Sequence, residues 1–202
     1  MENNEIQGIF SALGSNRRRY ILAELAVREI SVTDIANIAN LTKAGASQYL
    51  SQLKAAHLVL SEKRLKSVFY RLDAKKAAYK IHEFVDNILR PVQRNFREPH
   101  ISRNEYVGSN SLQSALKAMC CSHRRLIVTV LGSGELSVED LAAQCNLSRE
   151  STSFHLTVLR KANLVTFAIR PPKHIYRLIP ETIFTELHGY ATELLSASGN
   201  KN

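Results

Sequence analysis

Residues 10–72 and 116–178 align without a gap, and 22 of the 63 pairs are identical. The offset carries Arg18-Arg19 onto Arg124-Arg125 and Tyr70-Arg71-Leu72 onto Tyr176-Arg177-Leu178. A chain written this way folds as one unit made twice. Two copies are too few for a solenoid, which needs about three repeats to bury a continuous core. The reading is therefore a duplicated compact domain, and 202 residues leave roughly 100 for each copy.

The best-marked stretch of each copy lies at 41–59 (LTKAGASQYLSQLKAAHLV) and 147–165 (LSRESTSFHLTVLRKANLV). In the second, Ser148 is a good N-cap, and Leu156, Leu159 and Leu164 recur at helical spacing. Arg149, Ser153, His155, Thr157 and Arg160 are then expected on the opposite, polar side. In the first, Thr42 caps a helix over roughly 43–56. A short helix precedes each one. Ser31 caps VTDIANIAN, with Val32, Ile35, Ala36 and Ala39 facing inward and Asn40 suited to a left-handed turn; the matching helix ends at Asn146. This is the pattern of a helix-turn-helix, whose second helix offers hydrogen-bonding side chains to a DNA major groove.

In chain order, 5–13 carries Ile6, Ile9, Phe10 and Leu13 on one helical face. Ser15 or Asn16 caps the next helix, which holds Tyr20, Ile21 and Leu25. Its opening run Arg17, Arg18 and Arg19 reads equally as a phosphate contact or a solvated helix start, and it opposes the helix dipole. After the helix-turn-helix, LVLSEKRLKSVFYRLD reads as two strands with Lys63, Arg64 and Lys66 at the turn. Its counterpart FAIRPPKHIYRLI places Arg170, Lys173 and His174 around Pro171-Pro172, which rule out continuous pairing at that tip. Such a basic hairpin fits a wing lying along phosphate; the alternative is a hairpin that its charges keep soluble. A long helix over 74–96 carries a stripe of Ile81, Phe84, Val85, Ile88, Leu89, Val92 and Phe96, with Pro91 as a kink or break. Its counterpart over 181–196 offers Ile183, Phe184, Leu187, Ala191, Leu194 and Leu195. The domains are expected at 1–97 and 111–202, joined by a polar linker over 98–110.

Charge and composition narrow the function. Net charge is +9 with a pI near 9.6, spread as +6 over 1–100 and +3 over 101–202, which suits a polyanionic partner. No apolar run reaches the length of a membrane span, and MENNEIQ lacks the basic and apolar parts of a signal peptide. A cytoplasmic protein is expected, with no membrane partner. Cys120, Cys121 and Cys145 form no CxxC pair, and neighbouring cysteines on a helix point about 100° apart. They read as packing residues, with a thiol redox sensor as the alternative. There is no phosphate-binding glycine loop, HExxH or nucleophile elbow, and Ser153 and His155 diverge on their helix. No enzyme is expected.

The segments ALGSNRRRYILAEL, SVTDIA, SQYLSQLKAAHLV and FYRL, with HRRLIVTVL, GELSVEDLA, SRESTSFHLTVLRKANLV and IYRL, resemble the ArsR/SmtB family of winged-helix repressors. The family's Ser-x-His-Leu stands here as Ser153-Phe154-His155-Leu156, and as Ser47-Gln48-Tyr49-Leu50 in the first copy. The glycine usual after the recognition helix is His57 in one copy and Asn163 in the other. The resemblance implies a mainly α fold with small β-wings. Family members pair through first and terminal helices, so two tandem winged helix-turn-helix domains are expected to form an intrachain pseudo-dimer. It also implies a double-stranded-DNA-binding transcription regulator, acting as a repressor, with two heads about 34 Å apart on an imperfect inverted repeat.

The expected contacts are Lys43, Ser47, Gln48, Tyr49, Ser51, Gln52 and Lys54 with wing residues Lys63, Arg64 and Lys66 in the first head. In the second they are Arg149, Ser151, Ser153, Phe154, His155, Thr157 and Arg160 with Arg170 and Lys173. Glutamines suit adenine and arginine suits guanine, while the lysines, Arg160 and the wing cations hold phosphate. The family's thiolate metal motif falls on Ser31-Val32-Thr33-Asp34 and Ser137-Val138-Glu139-Asp140, which contain no cysteine. On the terminal helices His82 and Asp86 are four apart but His188 and Glu193 five, so these read as solvated or core histidines. No metal and no cofactor are expected. Further pairing of two chains through terminal helices stays open. The competing readings are a protein-interaction module and a thiol- or metal-responsive regulator.

Overall fold

The computed structural model describes residues 2–89 and 110–199; Pro91, Val92, Phe96 and the linker expected at 98–110 lie outside them or at their edge. The first copy runs α1 (Glu2–Leu13), α2 (Asn16–Val27), β1 (Ile30–Ser31), α3 (Val32–Ile38), α4 (Lys43–Ala55), β2 (Val59–Arg64), β3 (Ser67–Leu72) and α5 (Lys75–Leu89). The second repeats it as α6 (Asn110–Met119), α7 (Ser122–Leu131), β4 (Leu136–Ser137), α8 (Val138–Cys145), α9 (Arg149–Lys161), β5 (Val165–Arg170) and β6 (Lys173–Leu178). Its terminal helix is broken into α10 (Pro180–Ile183), a π-helical turn Phe184–His188, and α11 (Gly189–Gly199). The fold is mainly α with two small antiparallel sheets.

Local chemistry sets the helix ends. The Ser31 hydroxyl accepts from the Asp34 N–H at 3.2 Å and donates to its carboxylate at 2.6 Å, and Ser137 does the same with Asp140 at 3.2 and 2.6 Å. Thr42 and Ser148 accept from the N–H groups of Gly45 and Ser151, each at 3.1 Å. Asn40 and Asn146 take the left-handed turn at φ 49° and 52°, and His57 and Asn163 do so after α4 and α9 at 58° and 56°. The histidine is the costlier occupant, and the fold still demands that conformation of it.

β1 and β4, two-residue strands too short to show in the sequence pattern, complete sheets ordered β1-β3-β2 and β4-β6-β5. Ile30 pairs Tyr70 in one and Leu136 pairs Tyr176 in the other. Each wing pairs through to a two-residue turn: Arg64 opposite Ser67 around Leu65-Lys66, and Arg170 opposite Lys173 around Pro171-Pro172. Lys63 and Arg64 thus sit on the strand and not in the turn.

Arg17 stays exposed at the start of α2, but the next two arginines turn back on the preceding helix. Arg19 and Arg125 are buried, and their guanidiniums donate to the carbonyls of Leu13 at 2.8 Å and Met119 at 2.7 Å. Arg18 and Arg124 donate likewise to Ala12 and Ala118, each at 2.5 Å. The last carbonyls of α1 and α6 lack helical partners, and the forks supply them at the negative end of each helix dipole.

The two copies share one core. α1 packs on α6 and α5 on α11, so each element meets its own counterpart, as a two-fold relation requires. Phe10, Leu13, Ile81 and Val85 join Leu112, Leu116, Ile183, Leu187 and Leu194 in a continuous buried cluster. Ile81 and Val85 of the α5 stripe, with Phe84 packed beside them, therefore find their cover inside the chain. The Ala74 N–H donates to the Ser198 hydroxyl at 3.2 Å across the same seam.

His82 and His188, read separately from the sequence, meet there edge to face with ring centroids 4.2 Å apart. Burial and the neighbouring His188 hold His82 below the ordinary imidazole range, against an opposing pull from Asp86. The unfolded chain therefore binds that proton more readily than the folded one. Stability is expected to be complete above pH about 6.5 and to fall as pH drops from there toward the folded value. Thermal unfolding between pH 8 and 5 checks this; a slope unchanged in His82→Phe would refute it.

Candidate nucleic-acid interface

α4 seats itself through Ala46, Leu50 and Leu53, all buried, and turns Lys43, Ser47, Gln48, Ser51, Gln52 and Lys54 to solvent. Tyr49 is half-buried, with the Arg18 guanidinium 6.0 Å from its ring centre. The Gln52 side-chain Oε1 accepts from the same guanidinium at 2.6 Å. This brace from α2 to the exposed face of α4 had no signal in the sequence. The Lys54 ammonium donates to the Ser61 hydroxyl at 2.7 Å and ties the end of α4 to the wing.

On that wing Lys63 and Lys66 are exposed, and Leu65 at the turn is 97% exposed. Arg64 is engaged: it pairs Glu62 at 2.6 Å and Glu29 at 3.1 Å and lies 5.4 Å from the Phe69 ring centre. The Arg64 hydrogen bond holds the Glu62 carboxyl below its ordinary range.

The second head is built alike and dressed differently. α9 buries Thr152, Leu156 and Leu159 and exposes Arg149, Ser153, Phe154, Thr157 and Arg160, with Ser151 half-buried. Arg149 pairs Glu139 at 3.0 Å, Arg170 pairs Glu135 at 2.8 Å, and Arg160 stacks 4.6 Å over the Phe167 ring. Lys173 is exposed. Exposed ion pairs such as the first two hold their partners only weakly, which leaves both arginines open to another anion.

His155 departs from the expected pattern. It is 8% exposed and points inward, toward the start of α7, where its ring centre lies 5.5 Å from that of His123. Helical periodicity put it on the polar face; it stands instead at the border of that face, where α7 closes over it. Tyr49 holds the matching place in the first head and is likewise drawn in.

Each copy thus presents a capped helix of thirteen residues beyond a left-handed turn, with a basic hairpin beside it. Comparison with protein families agrees: the family described as bacterial regulatory protein, arsR family, matches residues 15–61 and again 121–166. Two arsR-family helix-turn-helix modules stand in tandem in this chain. The chain is a DNA-binding transcription regulator. A search of curated proteins found no match. Each arsR-family match covers α2 through α4, or α7 through α9, together with the start of the wing. The terminal helices that join the two modules lie beyond both matches. Among the described residues no helix is long and apolar enough to cross a membrane.

Proposed function

We propose that the chain acts as a repressor that reads an imperfect inverted repeat of double-stranded DNA with its two modules together. The observation that carries this reading is the unlike dress of two like helices. Lys43, Ser47, Gln48, Ser51 and Gln52 line one exposed face; Arg149, Ser153, Phe154 and Thr157 line the other. A glutamine pairs bidentately with adenine and an arginine with guanine, so the half-sites differ in sequence. Lys54, Lys63, Lys66, Arg160 and Lys173 border these faces and supply phosphate contacts, which give affinity and salt dependence. The counterpart packing of α1 on α6 and α5 on α11 supports two heads held at one spacing. Repression follows from occupancy of a promoter. The domain division at 1–97 and 111–202 and a cytoplasmic setting belong to the same reading.

Selection of bound sequences from random duplex DNA tests it. An imperfect inverted repeat is expected, with Gln48→Ala relaxing one half-site and Arg149→Ala the other, each at a cost of about 1–3 kcal/mol. Sequence-blind binding would refute the reading and favour a module that contacts protein.

A further inference from the structure

We propose that Cys121, His123 and His155 form a binding site for one borderline-soft divalent metal ion, zinc by type, in the second module alone. Each of the three offers a ligand atom, and these atoms all lie within 4.8 Å of one another. Zinc bonds of about 2.3 Å to sulfur and 2.0 Å to nitrogen put tetrahedral donors about 3.3–3.6 Å apart. Side-chain rotations that bring the farthest donors at most about 1.2–1.5 Å closer close the set. One thiolate and two imidazoles are a donor combination that zinc accepts, and the solvent side leaves the fourth position to water.

A second observation points the same way. The Nδ1 of His155 is buried and has no hydrogen-bond partner, although the residue is 8% exposed. A buried nitrogen without a partner costs free energy, and a metal ion satisfies it. The positive charge of Arg124 opposes a cation, but its guanidinium is turned back to the carbonyls of Ala118 and Lys117. Neighbouring Cys120 takes no part: its thiol donates to the Leu116 carbonyl at 3.3 Å.

The duplication supplies the contrast. The three positions correspond to Ser15, Arg17 and Tyr49 in the first module, which lacks every ligand. An ion held by Cys121 and His123 at the start of α7 and by His155 on α9 fastens the second recognition helix to its own support. Phe154 and Thr157, either side of His155, are then held in one orientation. Resting on the proposed two-headed reading, zinc changes affinity through the second half-site only.

The test is a cobalt titration of the reduced, full-length chain. A thiolate-to-cobalt charge-transfer band with tetrahedral visible bands is expected at one ion per chain. Cys121→Ser, His123→Arg and His155→Tyr each install the residue that the first module already folds around, and circular dichroism confirms their fold. Each should weaken cobalt and zinc binding about 100-fold, while Cys120→Ser leaves the bands in place. Absence of the thiolate band, its survival in any of the three variants, or its loss in Cys120→Ser overturns the site. DNA affinity is read separately, with and without zinc. If the cobalt bands are present and affinity is unmoved, the regulatory role falls and the metal site stands.

Discussion

Leu156→Ala is expected to destabilise the protein by about 3–5 kcal/mol, and Leu50→Ala by a similar amount. Both leucines are completely buried, on the inner faces of α9 and α4. Truncation removes transfer free energy and leaves a cavity under a helix of thirteen residues that is otherwise bordered by solvent. Because each leucine seats a recognition helix, the loss reaches function as well as stability: DNA binding should fail at temperatures where the parent chain still binds. Leu65→Ala is the control, at a wing-tip side chain 97% exposed, and should stay within about 0.5 kcal/mol. Urea unfolding measures all three. A cost under about 1 kcal/mol for either buried leucine would mean that α4 or α9 is not seated as described.

Residues 1–97 produced alone should not persist as a folded monomer. Removing the second copy strips the cover from α1 and α5, whose buried residues belong to a cluster shared by both copies. Apolar surface returned to water costs about 25 cal/mol per Å², and domains of this size have only about 5–15 kcal/mol to lose. The half-chain has one remedy, which is to pair with itself through the same two helices. Sedimentation should therefore find a dimer, with a thermal midpoint that rises with concentration. A compact monomer with a concentration-independent midpoint would show that the seam contributes little.

What the sequence disclosed was what neighbouring residues decide. Ser31, Thr42 and Ser148 cap helices that begin one residue later, and Asn40, His57 and Asn163 turn the chain left-handed within one residue. The repeat itself announced that whatever formed once would form twice. Hidden were the features that depend on approach from afar. β1 exists only because β3 returns beside it some forty residues later. Arg19 and Arg125 look like surface cations until the ends of α1 and α6 are placed against them. His155 falls on the margin between faces, where periodicity cannot choose, and the start of α7 decides for burial. Spacing among the three cysteines is silent on Cys121, whose neighbours His123 and His155 come from its own turn of α7 and from a helix some thirty residues on.

The unlike faces of α4 and α9 have a consequence for how such a regulator changes over generations. In a symmetric pair of identical subunits every codon change strikes both heads, and a partner DNA site must alter in both halves before the fit returns. Here Gln48 and Phe154 occupy matching places under separate codons. On the proposed two-headed reading, one base change in one half-site can be answered by one substitution in one helix, while the other head keeps its hold throughout. A fused chain of that kind tracks a drifting operator in single steps.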